Sequence, residues 1–207
     1  MKPWLFDILA CPIDKFFPLK LYIFSYENKP EEFQSIINNY ENRDLNFIKN
    51  EEIIDIYNEN EDLFLKDNIV IEKTKLSTYL NLIISSINEF ENIFDNTTNT
   101  LSKKCFKLMN SDVKLKIIEF SKKLNFNEFE SIIPELYFIN KIKLDIEIES
   151  GLLFCSNCKR WYPIIETIPQ MLPDKYRNEK QETEFLKTIK NLLDEKFFKQ
   201  DLKPFNI

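Results

Sequence analysis

Apolar residues in the middle of the chain, from about residue 28 to residue 140, recur at the spacing of amphipathic helices. The clearest apolar stripe extends from Leu76 to Phe94. Helices are predicted to begin at four places: Pro30, Leu76, Ser111, and Asn127 or a neighbour. Ile69–Ile71 is the one strand-like interruption. The middle of the chain is therefore predicted to be a mostly helical module.

The two ends of the chain carry strand patterns. After a short helix predicted from Lys2 to Ala10, the β-branched and aromatic run Leu19–Phe24 indicates a buried or half-buried strand. Near the other end, apolar and polar residues alternate from Lys141 to Glu149, which predicts a strand with one buried face. Ser150–Gly151 then permits a tight turn into a returning strand. Trp161–Ile165 predicts a further strand, so the two ends can form one antiparallel sheet.

These patterns predict an α+β protein with two domains. Residues 1–27 plus 141–207 are expected to form a small antiparallel sheet with a zinc-ribbon-like knuckle and an N-terminal helix. A mostly helical domain, residues 28–140, is inserted between them. Pro163 has no backbone N–H, which predicts that its strand lies at a sheet edge or ends there.

Composition excludes several classes of enzyme. The chain has 207 residues, of which 43% are hydrophobic, so it can bury a sizeable core. Its single glycine, Gly151, rules out the glycine-rich loops that bind dinucleotides and phosphates. The absence of histidine rules out Ser-His-Asp and Cys-His catalysis, so an autonomous enzyme is not expected. The formal charge of −6 argues against a nucleic-acid-binding surface over the whole chain, although not against a local basic patch.

The chain is expected to be cytoplasmic and not to associate with membranes. Its N-terminal apolar run is broken by Asp7 and is too short for a signal peptide. No apolar run approaches the roughly 18 residues that a membrane span needs. Cys105 lies alone in a predicted helix, and this distribution of thiols suits a reducing compartment better than a disulfide framework.

Two short blocks at opposite ends of the chain hold the other three of the four cysteines. The first block is Cys11-Pro-Ile-Asp14, and the second is Cys155-Ser-Asn-Cys158. A Cys-x-x-Cys turn supplies two thiolates, and a structural zinc ion needs two further ligands. The predicted sheet brings Cys11 beside the second block, and Asp14 or a water is the candidate fourth ligand. The alternative is that no metal binds and the Cys155 and Cys158 side chains pack as small hydrophobic groups.

An apolar stretch follows the second block. Residues 161–172 hold more large apolar side chains than a small sheet can bury on both faces. An exposed apolar patch beside an open strand edge is typical of a partner-binding site. The predicted partner-binding residues are Trp161, Tyr162, Ile164, Ile165, Ile168, Pro169, Met171 and Leu172. The alternative is that the inserted helices cover this face, which would make these residues ordinary core.

Three motifs in this order resemble one known family. They are Leu9–Leu19, Glu149–Ile164 and Ile168–Pro173. The combination is similar to the small methyltransferase-activator subunit of archaea and eukaryotes, the tRNA methyltransferase 112 subunit family. The resemblance covers both ends of the chain but not its middle. The tail from Asp174 onwards is more similar to archaeal members.

The resemblance implies a non-catalytic partner of other proteins. Members of that family form heterodimers with class I, S-adenosylmethionine-dependent methyltransferases that act on tRNA, rRNA or a translation release factor. They keep these enzymes soluble and active, and they reach RNA only through the enzyme. The sequence departs from the family at Asp14 and Phe16, where related sequences place the other N-terminal cysteine, and at Thr167, which replaces a frequent glycine. Its middle segment is also longer than the resemblance implies.

Two other functions remain as alternatives. An RNA-binding zinc ribbon would contact the RNA backbone with basic side chains and stack aromatic rings on bases. The residues available for this role are Lys159, Arg160, Trp161 and Tyr162. A hydrolase or transferase would use carboxylates of the middle segment. Its candidates are Glu128, Glu130 and Glu135, whose spacing is also that of any solvated helix face.

Overall fold

The computed structural model describes residues 1–59 and 62–207. The chain divides into two compact units. The first unit contains Met1–Glu27, Asn92–Thr98 and Glu147–Ile207, and the second contains Asn28–Glu91 and Asn99–Ile146. The first unit therefore joins both ends of the chain to a short segment from its middle. Helices and sheets occur together, which confirms the predicted α+β class.

The helices and strands of the described residues have the following bounds. The strands are β1 (Lys20–Tyr26), β2 (Asp55–Glu59), β3 (Asp62–Lys66), β4 (Thr74–Lys75), β5 (Ile93–Asp95), β6 (Ile148–Phe154), β7 (Trp161–Ile165) and β8 (Ile168–Pro169). The α-helices are α1 (Pro30–Asn42), α2 (Leu45–Asn50), α3 (Leu76–Glu89), α4 (Thr100–Leu108), α5 (Lys114–Lys123), α6 (Ile133–Leu144), α7 (Glu179–Thr188) and α8 (Glu195–Phe198). Short 3-10 helices lie at Pro3–Ile8, Phe90–Asn92, Phe126–Ile132, Asp174–Tyr176 and Lys190–Leu192, and a π-helical turn lies at Met109–Val113.

The sheet of the first unit places the predicted terminal strands side by side. Its order is β5-β1-β6-β7-β8, with β1 and β7 both antiparallel to β6, and with β5 parallel to β1. The antiparallel pairing predicted for the two chain ends is therefore confirmed. Phe154, at the end of β6, lies opposite both Lys20 and Trp161, which begin β1 and β7. This register brings the segment before β1 and the β6–β7 loop to the same end of the sheet, and these segments hold the two cysteine blocks.

β7 is an interior strand of this sheet. β8 pairs with its C-terminal half, and the N–H of Trp161 donates to the Lys203 carbonyl oxygen at 3.3 Å. The prediction that Pro163 marks a sheet edge is wrong. The Pro163 carbonyl oxygen accepts from the Gln170 N–H at 2.8 Å, on the side of β8. The N–H that proline lacks would point to that same side, where Gln170 lies opposite Pro163, so this pair forms one backbone hydrogen bond instead of two.

The C-terminal segment covers one face of the sheet. The buried cluster there consists of Leu152, Phe154, Trp161, Leu186, Ile189, Leu193, Phe197 and Leu202. The rings of Phe154 and Phe197 meet edge to face with centroids 5.2 Å apart, and the rings of Trp161 and Phe185 stack at 6.3 Å. Burial of these large side chains makes Trp161 a core residue of the first unit.

The alternating segment Lys141–Glu149 does not form one strand. α6 continues to Leu144 and β6 begins only at Ile148, so the predicted strand is wrong. The turn predicted at Ser150–Gly151 is also wrong, because both residues lie inside β6. α6 is buried around most of its circumference, and even Lys143 is inaccessible to solvent. A helix without a polar face does not reveal its period in the sequence.

Gly151 lies where β1, β6 and β7 approach closely. A Cβ at this position would lie 2.8 Å from the Tyr22 carbonyl oxygen and 3.1 Å from Ile164 Cδ1. We expect Gly151→Ala to lower the free energy of unfolding by about 1–3 kcal/mol, because the backbone must shift to admit the methyl group. Ser150→Ala is the matched control in the same strand and should cost about 0.5 kcal/mol or less. Denaturant titration compares the two variants, and equal stabilities would contradict the prediction.

In the second unit, the helix starts predicted at Pro30 and Leu76 are confirmed. The start predicted at Asn127 or a neighbour is also confirmed, because the Asn125 side chain accepts a hydrogen bond from the Asn127 N–H at the head of the 3-10 helix before α6. The cap predicted at Ser111 is wrong. Ser111 lies in the π-helical turn that joins α4 to α5 without a break.

The strand-like run Ile69–Ile71 is not a strand. The Asp67 carboxylate accepts hydrogen bonds from the backbone N–H groups of Ile69 and Val70, which closes a turn. The strands of the second unit are instead β2, β3 and β4, which form a small antiparallel sheet. The helix predicted from Leu76 to Phe94 ends earlier, and its last residues enter β5, which belongs to the first unit.

Candidate functional site

Four candidate ligands from the two cysteine blocks converge at one end of the first unit's sheet. The Sγ atoms of Cys11, Cys155 and Cys158 and a carboxylate oxygen of Asp14 all lie within 4.8 Å of one another. Cys11 and Cys155 are buried, whereas Asp14 and Cys158 are half-buried. The fold thus brings together the four residues that the sequence singled out as metal ligands.

Three of the interatomic distances are close to the edges of a zinc-centred tetrahedron. Zinc–sulfur bonds of about 2.3 Å set a sulfur–sulfur edge of roughly 3.8 Å, and a zinc–oxygen bond of about 2.0 Å sets a sulfur–oxygen edge of roughly 3.5 Å. The Sγ atoms of Cys11 and Cys158 are 3.6 Å apart, and Cys155 Sγ lies 3.6 Å from each carboxylate oxygen of Asp14. Three sulfurs and one oxygen in this arrangement fit a tetrahedral ion after small side-chain movements.

The two blocks adopt the same turn. In the first block, the Cys11 N–H donates to the Phe16 carbonyl oxygen at 3.0 Å, and the Lys15 N–H donates to the Cys11 carbonyl oxygen at 2.9 Å. In the second block, the Cys155 N–H donates to the Arg160 carbonyl oxygen at 2.8 Å, and the Lys159 N–H donates to the Cys155 carbonyl oxygen at 3.0 Å. Lys15 and Lys159 are equivalent residues of the two turns, and each has φ of 61°. Lys15 Nζ donates to the Pro12 carbonyl oxygen, and Lys159 Nζ donates to the Ser156 carbonyl oxygen. Asp14 therefore takes the position in the first turn that Cys158 takes in the second.

Side chains from the second half of the chain hold both candidate ligands of the first block. The Tyr162 hydroxyl lies 3.2 Å from Cys11 Sγ, and Asn157 Nδ2 donates to Asp14 Oδ2 at 2.8 Å. Asp14 Oδ1 also accepts from the Phe16 N–H at 3.1 Å. Hydrogen-bond partners of metal ligands fix ligand orientation and tune affinity. These contacts therefore preorganise the first block against the second.

Hydrogen bonding and burial set the protonation of the ligands in this structure. The hydrogen bond from the Cys11 thiol, with a smaller contribution from Asn157, lowers the pKa of Asp14 well below its usual range. Burial raises the pKa of the Cys155 thiol to about 12 and also raises the pKa of Cys11. The carboxylate is therefore the anion of the cluster. An ion that binds here must displace protons from the thiols.

Sequence reasoning missed several residues that support the site. Asn157 lies between the two cysteines of the second block. This position is the one feature of the sequence that could have indicated its contact with Asp14. Arg160 forms a two-pronged ion pair with Asp174 at 3.1 and 2.8 Å, which ties the second block to the segment after β8. The buried Arg177 guanidinium pairs with Glu182 and lies 4.9 Å from the centre of a Trp161 ring. No local sequence pattern predicts these ion pairs, because the two charged groups of each pair meet only in the folded chain.

A known protein family matches most of the chain. The sequence model of the Trm112p-like protein family matches residues 2–166, a range that includes both cysteine blocks and the middle segment. The chain belongs to the Trm112p-like family. This confirms the suspected family, with the motifs Leu9–Leu19 and Glu149–Ile164 inside the match and Ile168–Pro173 beyond it. It also establishes the general kind of role, since the family consists of methyltransferase activators.

No curated protein and no solved structure matches this Trm112p-like chain. Within residues 1–59 and 62–207, none of its helices has the length and apolar character needed to cross a lipid bilayer.

The eight residues predicted to bind a partner fall into two groups in this Trm112p-like protein. The first group is fully buried and consists of Trp161, Tyr162 and Ile164. The second group lies at the surface: Ile168 is 58% exposed, Ile165 43% and Leu172 42%, and Pro169 and Met171 are half-buried. These five surface residues are termed the β8 patch. The first group belongs to the core of the first unit, so only the β8 patch is accessible at the surface among the eight predicted residues.

Proposed function

We propose that this chain is a non-catalytic subunit that binds, activates and stabilises class I, S-adenosylmethionine-dependent methyltransferases as a heterodimer. Membership of the Trm112p-like family, over residues 2–166, carries the proposal. The enzymes it serves would methylate tRNA, rRNA or a translation release factor. RNA would be reached only through the enzyme.

The β8 patch is the proposed docking surface. β8 is the last strand in the sheet order, so its outer side is an edge, and Ile168 within it is 58% exposed. Edge strands recruit a strand of a partner, while neighbouring apolar side chains become buried. Pro169 has no N–H to donate, so we assign most of the affinity to the apolar side chains. β8 and Lys203 pair with the edge that was expected to be open along Trp161–Ile165. We therefore place the contact with the enzyme at β8, one strand further out.

The residues of the RNA-binding alternative are engaged within the chain. Trp161 and Tyr162 are fully buried, and buried rings cannot stack on bases. Arg160 is paired with Asp174, and the Lys159 ammonium donates to a backbone carbonyl of its own turn. These contacts favour a protein partner over direct RNA binding.

Two carboxylates of the enzyme alternative serve as ion-pair partners in the second unit. Glu135 is buried, and its Oε1 lies 2.7 Å from Arg43 Nη1, while Glu130 Oε1 lies 2.6 Å from Lys49 Nζ. A buried carboxylate must be paired, so the ion pair with Arg43 gives Glu135 a structural explanation.

We also propose that one structural zinc ion is bound by Cys11, Asp14, Cys155 and Cys158. The match between the two turns and the tetrahedral edge lengths supports this assignment. The ion would cross-link two blocks that are far apart in sequence, and its binding free energy would add to the stability of the fold.

Affinity purification of the tagged chain from its native cell tests the proposed function. We expect a class I methyltransferase to co-purify at one copy per chain, because an activating subunit forms a stable heterodimer. Addition of the purified chain should then increase methyl transfer by that enzyme. Recovery of RNA without a methyltransferase would contradict the proposal and favour the RNA-binding alternative.

A further inference from the structure

We infer that Cys11 and Cys158 form a reversible disulfide when they are free of metal, and that this bond can hold the two cysteine blocks together in place of an ion. Their Sγ atoms are 3.6 Å apart, although the residues are separated by 147 positions in the sequence. A sulfur–sulfur bond of about 2.0 Å requires the two atoms to close by roughly 1.6 Å. The inference rests on the geometry of this cluster and not on the proposed activation of methyltransferases.

The long-range pair is favoured over the neighbouring pair within the Cys-x-x-Cys turn, because its two sulfurs are in contact while Cys155 Sγ is hydrogen-bonded to other groups. Cys155 Sγ lies 3.6 Å from both carboxylate oxygens of Asp14 and accepts from the Cys158 N–H at 3.5 Å, so hydrogen bonds hold it on the carboxylate side of the cluster. Cys11 Sγ lies 3.2 Å from the Tyr162 hydroxyl and 3.6 Å from Cys158 Sγ, and its thiol also donates to Asp14. We therefore assign the disulfide to the pair that joins the two ends of the chain.

Cys158 is the thiol that meets an oxidant, because it is half-buried whereas Cys11 and Cys155 are fully buried. With hydrogen peroxide as oxidant, the Cys158 thiolate attacks one peroxide oxygen, the O–O bond breaks, and water leaves a sulfenic acid behind. The Cys11 sulfur then attacks the sulfenic sulfur, the S–O bond breaks, and a second water leaves. Two thiols are oxidised to one disulfide while one peroxide is reduced to two waters. A dithiol reductant reverses the bond.

Peptide mapping of the wild-type chain tests the inference without relying on a variant that must fold. Protein treated with a chelator and then with one equivalent of hydrogen peroxide should yield, after non-reducing digestion, linked peptides that contain Cys11 and Cys158. Dithiothreitol should release them. Zinc-loaded protein should form the link at least roughly 10-fold more slowly, because the ion occupies the sulfurs.

Cys155 and Cys158 share one peptide, so peptide fragmentation and two serine variants assign the bond. Cys155→Ser should still form the link, and Cys158→Ser should not. Cys105, fully buried in α4, is the internal control and should stay reduced. A bond between Cys155 and Cys158, links only between different chains, or equal rates with and without zinc would each overturn the inference.

Discussion

Replacement of both Ile168 and Leu172 with aspartate is expected to abolish co-purification of the methyltransferase. A large apolar side chain at the centre of an interface contributes about 2 kcal/mol, so the loss of two weakens binding by roughly 1000-fold. Buried carboxylates without partners would weaken it further. The variant should fold, because the two side chains are 58% and 42% exposed in the isolated chain. Isothermal titration with the purified enzyme measures the loss, and circular dichroism checks the fold.

Leu115 offers a matched control for this experiment. Its exposed fraction is also 58%, but it lies on α5 in the second unit. Leu115→Asp should leave enzyme binding unchanged. If the double variant at Ile168 and Leu172 folds and still binds with wild-type affinity, the enzyme contacts another surface. If it unfolds in isolation, the β8 patch is part of the core and the docking assignment is wrong.

The clustering of the four candidate metal ligands was predictable, because the strand patterns at both chain ends indicated one sheet that places the two four-residue blocks side by side. The shared spacing of Asp14 and Cys158, each three residues after a cysteine and followed by lysine, was visible in the sequence. The matching backbone hydrogen bonds of the two turns, and φ of 61° at both Lys15 and Lys159, were not predicted. The contact of Tyr162 with Cys11 was also missed, because an aromatic residue in an apolar strand indicates burial without showing which groups lie beside it.

The fold was predictable where local periodicity reflects burial. α1 and α3 each have one apolar face, and both begin where they were predicted to begin. β5 was missed because three residues are too few to show a period, and its parallel pairing with β1 joins segments about 70 positions apart. The boundary between α6 and β6 was missed because burial around α6 removes the polar face that distinguishes a helix.

The interior position of Trp161 depends on a segment far along the chain. Leu186, Phe197 and Leu202 pack on the same cluster as Trp161, and they lie 25 or more positions after it. A short apolar stretch considered alone has too few neighbours to bury it, which is why it predicted an exposed patch. The long-range packing restricts that patch to the residues at and around β8.

Zinc affinity should respond strongly to Asp14 and to the residue that holds it. Asp14→Ala removes a ligand and should weaken zinc binding by more than the roughly 10–100-fold that is typical of losing a ligand's hydrogen-bond partner. Asn157→Ala, which removes such a partner, should fall within that 10–100-fold range. Asp14→Cys should bind zinc at least as tightly as the wild type, because two equivalent turns would then supply the four sulfurs of a common structural site. Competition with a chromophoric chelator measures each affinity.

The double variant Asp14→Cys with Asn157→Ala decides whether Asn157 acts through the carboxylate. In the wild type, Asn157 Nδ2 donates to Asp14 Oδ2 at 2.8 Å, and a cysteine at position 14 has no carboxylate to accept this bond. The Asn157 substitution should therefore change affinity by no more than about 2-fold in the cysteine background, the range of independent sites. Ser156→Ala in the same turn is the control. An equally large loss of zinc affinity in both backgrounds would show that Asn157 supports the turn itself. Wild-type zinc affinity in Asp14→Ala would show that Asp14 is not a ligand.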